Sequence, residues 1–419
     1  MASSVTGAGG PASRQHAQPG RGAGGVKGER HGEQSTRNFL GSTLTRERGM
    51  SVAKLEFALW DGFGAYELAT SSVDADVYDR HIQEAQRAEE LGYQSYYTIE
   101  HQNSFGSITA PSVYLCALAQ HTTHLRLGTM IWQLPFYNPM RLAEEVAMLD
   151  HLSRGRVEFG TGIGVAEHEF LRWNIPFYER REMSIEALEI IVKAWTEESV
   201  TYQGKYWQFD EALPVPKPYQ KPHPPIWVAA HSPASFIYAA QHNYHVSQNL
   251  DVDPLVAEKF ALYRSTWREC GHPGPMPRTF LMRAVHVAET DEIARAEAEQ
   301  PLLVSRRLNR ERLHRTRIGY KGNEDNPTTR ELNRVFQGMS TSYDFWIDNG
   351  LALVGSPETV IRKLKDQHTR IGYDIFCANH RFGPMPQEQS LTSMQLFGKE
   401  VIPAFTSPYE PADQVPSPQ

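Results

Sequence analysis

Cysteine is scarce in this chain of 419 residues: Cys116, Cys270 and Cys377 stand far apart and form no CxxC pair. That excludes a disulfide framework and a thiolate metal site, and it fits a reducing cytoplasm. No run approaches the roughly 18 consecutive apolar residues that a membrane span needs. Basic charge is not in excess, since 42 Lys and Arg against 49 Asp and Glu leave a formal net charge of -7. Without a broad positive field, neither nucleic acid nor an anionic membrane surface is an expected partner. The 17 histidines form no HxH or HExxH cluster, which speaks against a barrel metallohydrolase. What remains is ordinary for a soluble globular protein, with 40% hydrophobic and 22% charged residues.

Residues 1–49 are rich in Gly, Ser, Arg and Gln and carry almost no apolar periodicity, so they are expected to be a disordered leader. They contain neither the apolar core of a secretory signal nor an amphipathic transit helix. Met50 reads as the natural start of the folded chain, and the leader as dispensable. From Leu55 onward short apolar runs alternate with helical periodicity. "LEFALW", "SYYTIE", "LRLGTMIW", "RVEFGTG", "IWVAA", "YHVSQ", "TFLMRAVHVA" and "DIFCAN" read as eight strands separated by helices. The pattern predicts a (β/α)8 barrel over residues 50–405, with a doubly wound open sheet as the alternative that periodicity alone allows. "VTYQGKYWQF" predicts an appended hairpin turning at Gln203-Gly204. The stretch from about Gln300 to Asn349 is too long for a simple connection and reads as a lid or mobile insertion before strand eight. The Pro-rich tail, 406–419, reads as disordered.

Side chains at the C-terminal ends of barrel strands line the site. Strand two ends in Glu100 and His101, an acid and an imidazole after an aromatic run, where His101 can serve as general base beside a carboxylate. Strand four ends in "FGTGIG", whose Gly162 and Gly164 let a phosphate or planar ring approach the backbone or simply make a tight turn. Strand five is followed by His231, Ser232 and Ser235 at a helix start, a place for a phosphate or for plain capping.

Together, "YTIEHQNSFG", "GTMIWQLPFYNPMRLAEEVAMLDHLSRGRVEFGTGIG", "PHPPIWVAAHSPAS", "LALVGSPETVIRKL" and "SMQLFGKEVIPAF" resemble the luciferase-like flavin monooxygenases, the family of bacterial luciferase, in the family's order. The resemblance implies a (β/α)8 barrel and reduced FMN (FMNH2) delivered by a separate NAD(P)H-dependent flavin reductase. It also implies oxygen activation as a peroxyflavin, oxygenation of a small organic, apolar substrate, and a homodimer. By motif His101 is the catalytic histidine. Glu100, Met130, Ile131 and Glu144 match positions around the isoalloxazine ring, with a non-proline cis peptide at Met130-Ile131, and Ser232 and Ser235 match the phosphate end. Gln102 replaces the second histidine of bacterial luciferase, and Gly162-Ile163 replace its reactive Cys and its phosphate-binding Arg, which argues against light emission. Arg141, Arg180 and Arg181 are the candidate substitutes for that Arg. Deazaflavin-dependent hydride-transfer enzymes of the same fold tend to carry Asp-His where this chain has Glu100-His101; they are the alternative, with a non-catalytic flavin-binding protein a third. Water must be kept from the reduced flavin, a task for the insertion, while Trp60, Phe105, Trp132 and Phe136 are aromatic candidates for a substrate pocket.

Overall fold

The computed structural model describes residues 55–63, 74–102, 108–315 and 327–406. The expected leader, the tail beyond residue 406 and Phe105 lie outside them. Eight strands run parallel: β1 (Glu56–Trp60), β2 (Ser95–Thr98), β3 (Arg126–Gln133), β4 (Val157–Gly162), β7 (Ile226–Ala229), β8 (His245–Gln248), β9 (Thr279–Val287) and β11 (Ile375–Asn379). β11 joins β1 to β9, and the β8–β9 pairing closes the ring into a (β/α)8 barrel. Between β4 and β7, β5 (Val200–Gln203) and β6 (Gln208–Ala212) form the expected antiparallel hairpin. The helices that matter below are α1 (Asp74–Glu90), α2 (Pro111–His121), α3 (Pro139–Leu152), α4 (Glu167–Arg172), α5 (Arg180–Thr196), α6 (Pro233–Gln241) and α7 (Asp253–Cys270).

Alternation along the strands sorts the side chains. Tyr97, Ala58, Trp60, Met130, Trp227, Phe280, Ile375 and Cys377 fill the barrel, whereas Tyr96, Leu127, Phe159 and Val246 face the helices. The lower end is closed by charge. Glu158 is 1% exposed and takes bonds from Arg126, from Arg278 at 3.1 Å and from Trp227 Nε1 at 2.5 Å. Burial pushes its carboxyl up, but the two guanidiniums overcome that and hold it below the ordinary value.

The upper end is shaped by one irregularity. Thr129 pairs with Phe159 but Trp132 with Thr161, so β3 holds one residue more than β4 across the same span. This bulge contains Met130-Ile131, whose peptide is cis. It fits because β4 is bare there: a Cβ on Gly160 would lie 2.1 Å from Thr129 O, and one on Gly162 2.2 Å from Ile131 Cδ1. The bulge also corrects the expected length of strand two. The β2–β3 ladder stops at Thr98 and Thr129, so Ile99 and Glu100 lie beyond the strand.

The insertion before the last barrel strand differs most from expectation. It contains α8 (Asp291–Arg315), α9 (Pro327–Thr341) and α10 (Tyr343–Asp348), so the boundary read at Gln300 falls inside a helix. Ala294, Ala298, Leu302, Val335, Met339 and Trp346 give it an apolar core of its own. "LALVG" supplies an unforeseen strand, β10 (Ala352–Gly355), on the upper half of β9. The chain then runs through α11 (Pro357–Ile371) to β11 and closes on one helical stretch, in which a π turn at Phe397–Val401 joins α12 (Gln387–Leu396) to α13 (Pro403–Thr406). Gly160→Ala is expected to lower unfolding stability by about 1–3 kcal/mol through overpacking of backbone against backbone, read as a lower urea midpoint at unchanged m-value.

Candidate active site at the upper rim of the barrel

Glu100 is 1% exposed and receives three hydrogen bonds: Gln133 N to Oε2 at 2.8 Å, Tyr137 Oη to Oε1 at 2.8 Å and Gln102 Nε2 to Oε1 at 3.2 Å. Burial is the largest influence on its carboxyl, and despite these donors it is pushed up to about 8, with the nearby Glu169 adding to the rise. His101 follows at once. Its Nδ1 lies 2.9 Å from Glu169 Oε1, which also accepts from Gln102 N at 2.7 Å. Gln133 Nε2 spans the two acids, donating to Glu100 O at 3.2 Å and to Glu169 Oε2 at 3.3 Å. Glu100, His101, Gln102, Gln133 and Glu169 are thus one cluster where β2 and β3 meet α4.

The other expected residues lie on the same rim. Met130 is buried and Ile131 half-buried, and with Ile99, Met282 and Trp60 they cap the apolar interior of the barrel. Gly162 is filled by Ile131, and Gly164, at φ 74°, backs onto the Gln133 amide. The bareness of that turn is used by neighbouring side chains. Ser232 occupies the N-cap position of α6 without capping it; its Oγ lies 3.0 Å from that of Ser235. His231 Nδ1 is enclosed with no hydrogen-bond partner, and burial lowers the basicity of its ring. Glu144 is half-buried on α3 and makes no hydrogen bond to the Glu100 cluster among the described residues. Of the candidate arginines, Arg141 is exposed and paired with Glu145, and Arg180 bonds Phe177 O and covers the Phe177 ring. Arg181 is half-buried in the first turn of α5, and its charge is felt at Tyr238 of α6. Trp132 is fully buried against Phe159 on the helix-facing side, so it does not line a pocket; Phe136 is half-buried against Phe170.

A second polar cluster sits at the end of β1. Asp61 Oδ2 accepts from Tyr96 Oη at 2.8 Å and lies 2.6 Å from His81 Nδ1. Asp61, His81 and Glu84 stand close enough to share a cation, and the Arg381 guanidinium bonds Glu84 there.

The family model for luciferase-like monooxygenases matches residues 55–374, the whole span from β1 to the start of β11. The chain belongs to the luciferase-like monooxygenase family. This luciferase-like enzyme is an oxygenating oxidoreductase. It is 28% identical over 346 residues to the oxygenase component of a flavin-dependent trigonelline monooxygenase of Acinetobacter baylyi, covering 79% of this chain and 90% of that one. Among solved structures it is similar to the monooxygenase RslO1 of Streptomyces bottropensis, with a TM-score of 0.70 and 26% identity over 84% of this chain and all of that one. An F420-dependent secondary alcohol dehydrogenase shares the fold, at a TM-score of 0.65 and 18% identity over 84% of this chain and 99% of that one. No helix among the described residues of the monooxygenase is long and apolar enough to cross a membrane.

Gln133 and Glu169 are the cluster members that the sequence does not single out; Glu169 is the harder of the two to see. An acid in the first turn of a helix is the commonest response to the helix dipole, so Glu167 and Glu169 after "FGTGIG" look like ordinary N-terminal charges. The signal available was "EHEF", where an acid is flanked by a histidine and an aromatic.

Glu100 also sets a pH dependence. Its folded value lies near 8 and its ordinary value near 4.5, so between these the folded chain binds the extra proton and stability falls as pH rises. Above 8 no further loss comes from this group. Glu100→Gln lacks the titration; its unfolding free energy relative to wild type, from urea melts at pH 5, 7 and 9, should improve by a few kcal/mol up to pH 8 and then level off. A difference that is flat with pH would refute the neutral-acid assignment.

Proposed function

We propose that this enzyme is an FMNH2-dependent monooxygenase that oxygenates a small, apolar organic substrate. It takes reduced flavin from a separate NAD(P)H-dependent reductase and works in the cytoplasm as a homodimer. The observation that carries the proposal is the Glu100–His101 pair, tied to Glu169, at the edge of an uncharged rim formed by Ile99, Met130, Ile131, Met282 and Trp60. Such a rim suits a flat ring and an apolar substrate, with titratable groups confined to one side.

The residues present also fit the cofactor's charged end. Among the described residues His231 Nδ1 has no hydrogen-bond partner, the Ser232 and Ser235 hydroxyls bond only to each other, and the first N–H groups of α6 lie beside them. Arg181, paired with no carboxylate among the described residues, would supply the cation lost at Ile163. Glu100, Met130, Ile131 and Glu144 would hold the flavin ring, beside His101. Bound reduced FMN supplies two electrons, so that one atom of O2 enters the substrate and the other leaves as water. The protein's own tasks are to exclude water and to manage a proton. Glu100 remains a neutral acid at pH 7 and His101 exchanges a proton at the reacting centre. The trigonelline relative is described as an oxygenase component, which supports a separate reductase here. Exposed Val113 on α2 and Met148 and Leu152 on α3 are apolar positions that a second copy would cover.

Stopped-flow mixing of the protein with photoreduced FMN and oxygenated buffer tests the proposal. The expected result is an oxygen-dependent absorbing species that outlives the reaction of free reduced flavin with oxygen. Uncatalysed oxidation together with tight binding of a deazaflavin would move the assignment to hydride transfer, and binding without any turnover to a flavin carrier. His101→Ala should keep flavin affinity while releasing more hydrogen peroxide per O2 consumed; unchanged coupling of oxygen to product would remove His101 from the chemistry.

A further inference from the structure

We propose that Glu169 is the positioning residue of His101: it accepts the Nδ1 proton and so makes Nε2 the nitrogen that takes up a proton. The proposal deepens the monooxygenase reading and rests on it for what Nε2 then does.

The hydrogen-bond directions around Glu169 leave little choice. Gln102 N is a backbone donor, so Glu169 Oε1, 2.7 Å away, is its acceptor. Gln133 Nε2 also contacts Glu100 O, a carbonyl that only accepts, so this side of the amide is the NH2 group and Oε2 of Glu169 accepts as well. With Glu169 as the carboxylate both oxygens can only accept, and the 2.9 Å contact at Nδ1 is then favourable only if Nδ1 carries the hydrogen. The neutral imidazole is thereby held as the Nδ1–H tautomer, with Nε2 as the basic nitrogen.

The anchor is rigid. Glu169 is fully buried in the first turn of α4, next to Phe170, which packs edge-on against Phe136 and Phe177. His101 is held on its own side by His101 N donating to Ile108 O at 3.2 Å. Among the described residues His101 is the one basic side chain within ion-pair distance of Glu169, so a proton gained by the ring stays next to a buried carboxylate. Sequence neighbours do not supply this contact, since 68 positions separate the two residues. It exists because β2 and β4 flank β3 in the sheet, which places the start of α4 beside the end of β2.

The test is nitrogen NMR of the full chain labelled with 15N-histidine, without flavin, at a pH that keeps imidazoles neutral. Among the 17 histidines, the His101 signals are those missing from His101→Gln. Wild type should show a pyrrole-type Nδ1 and a pyridine-type Nε2. Glu169→Gln retains an accepting Oε1 and should keep that pattern, whereas Glu169→Leu should turn the Nδ1–H form from dominant to minor. In the same series oxygen coupling should fall for Glu169→Leu toward that of His101→Ala and stay higher for Glu169→Gln. A dominant Nε2–H form in wild type, or an unchanged tautomer in a folded Glu169→Leu, would overturn the proposal. If Glu169→Leu does not fold, the wild-type pattern decides. If the tautomer is as expected but wild type oxygenates no organic substrate, the positioning role stands and the monooxygenase reading falls.

Discussion

The upper rim depends on one close approach, that of β3 to β4 where β4 has no side chains. Gly160 and Gly162 leave room for an extra residue in β3, and Met130-Ile131 fill it. Downstream of the bulge the strand resumes pairing with its facing set by the insertion, so that Gln133 pairs with Gly162. From there its backbone N–H reaches Glu100 and its amide reaches Glu169. A side chain at Gly160 would push the β3 backbone away, and the distance from Gln133 to both acids would change with it; one at Gly162 would displace the Ile131 side chain. Packing at a strand pair and hydrogen bonding at the site are therefore one constraint.

Two acids brought together in a buried place cannot both ionise cheaply. Lys and Arg are not within ion-pair distance of either one among the described residues, and the division of labour follows from what surrounds each. Glu100 has neutral donors and burial raises it to about 8; Glu169 has the imidazole. Their separation by environment assigns a neutral acid and an imidazole–carboxylate pair to adjacent residues of one loop. The contrast with the barrel's lower end is instructive. There Glu158 is equally buried but meets two guanidiniums and is held below its ordinary value, an arrangement that closes the barrel and leaves no group poised near neutral pH.

The fold was legible because its signals are local. The alternation of apolar runs with helical periodicity placed the eight barrel strands, and the β-rich stretches around Gln203-Gly204 placed the hairpin. Glu100 and His101 were legible because a polar pair after an aromatic strand violates the pattern. What was hidden depends on partners distant in sequence. The true end of β2 is set by a bulge in β3, which reads in sequence as an unbroken apolar run, "GTMIWQ". Trp132 could not be assigned to core or pocket before the bulge fixed which way it faces. Glu169 carries the identity expected of a helix start, and only the closed barrel shows that it bonds His101.

β9 is long because it serves two neighbours along one edge. β8 stops where Gln248 pairs with Leu281, and β10 takes over from Ala284 to Val287. The inserted helices are thus joined by backbone ladder to a barrel strand, above the level where the ring itself ends. Their core includes Val252 after β8, Ala284 of β9, and Phe382 and Met385 after β11, so its floor is the rim of the barrel. An insertion seated in this way cannot swing as a unit without breaking strand pairs and exposing apolar surface, both costly. The described helices therefore act as a fixed wall on the β8–β9–β11 side of the mouth, facing the titratable cluster at β2 and β3.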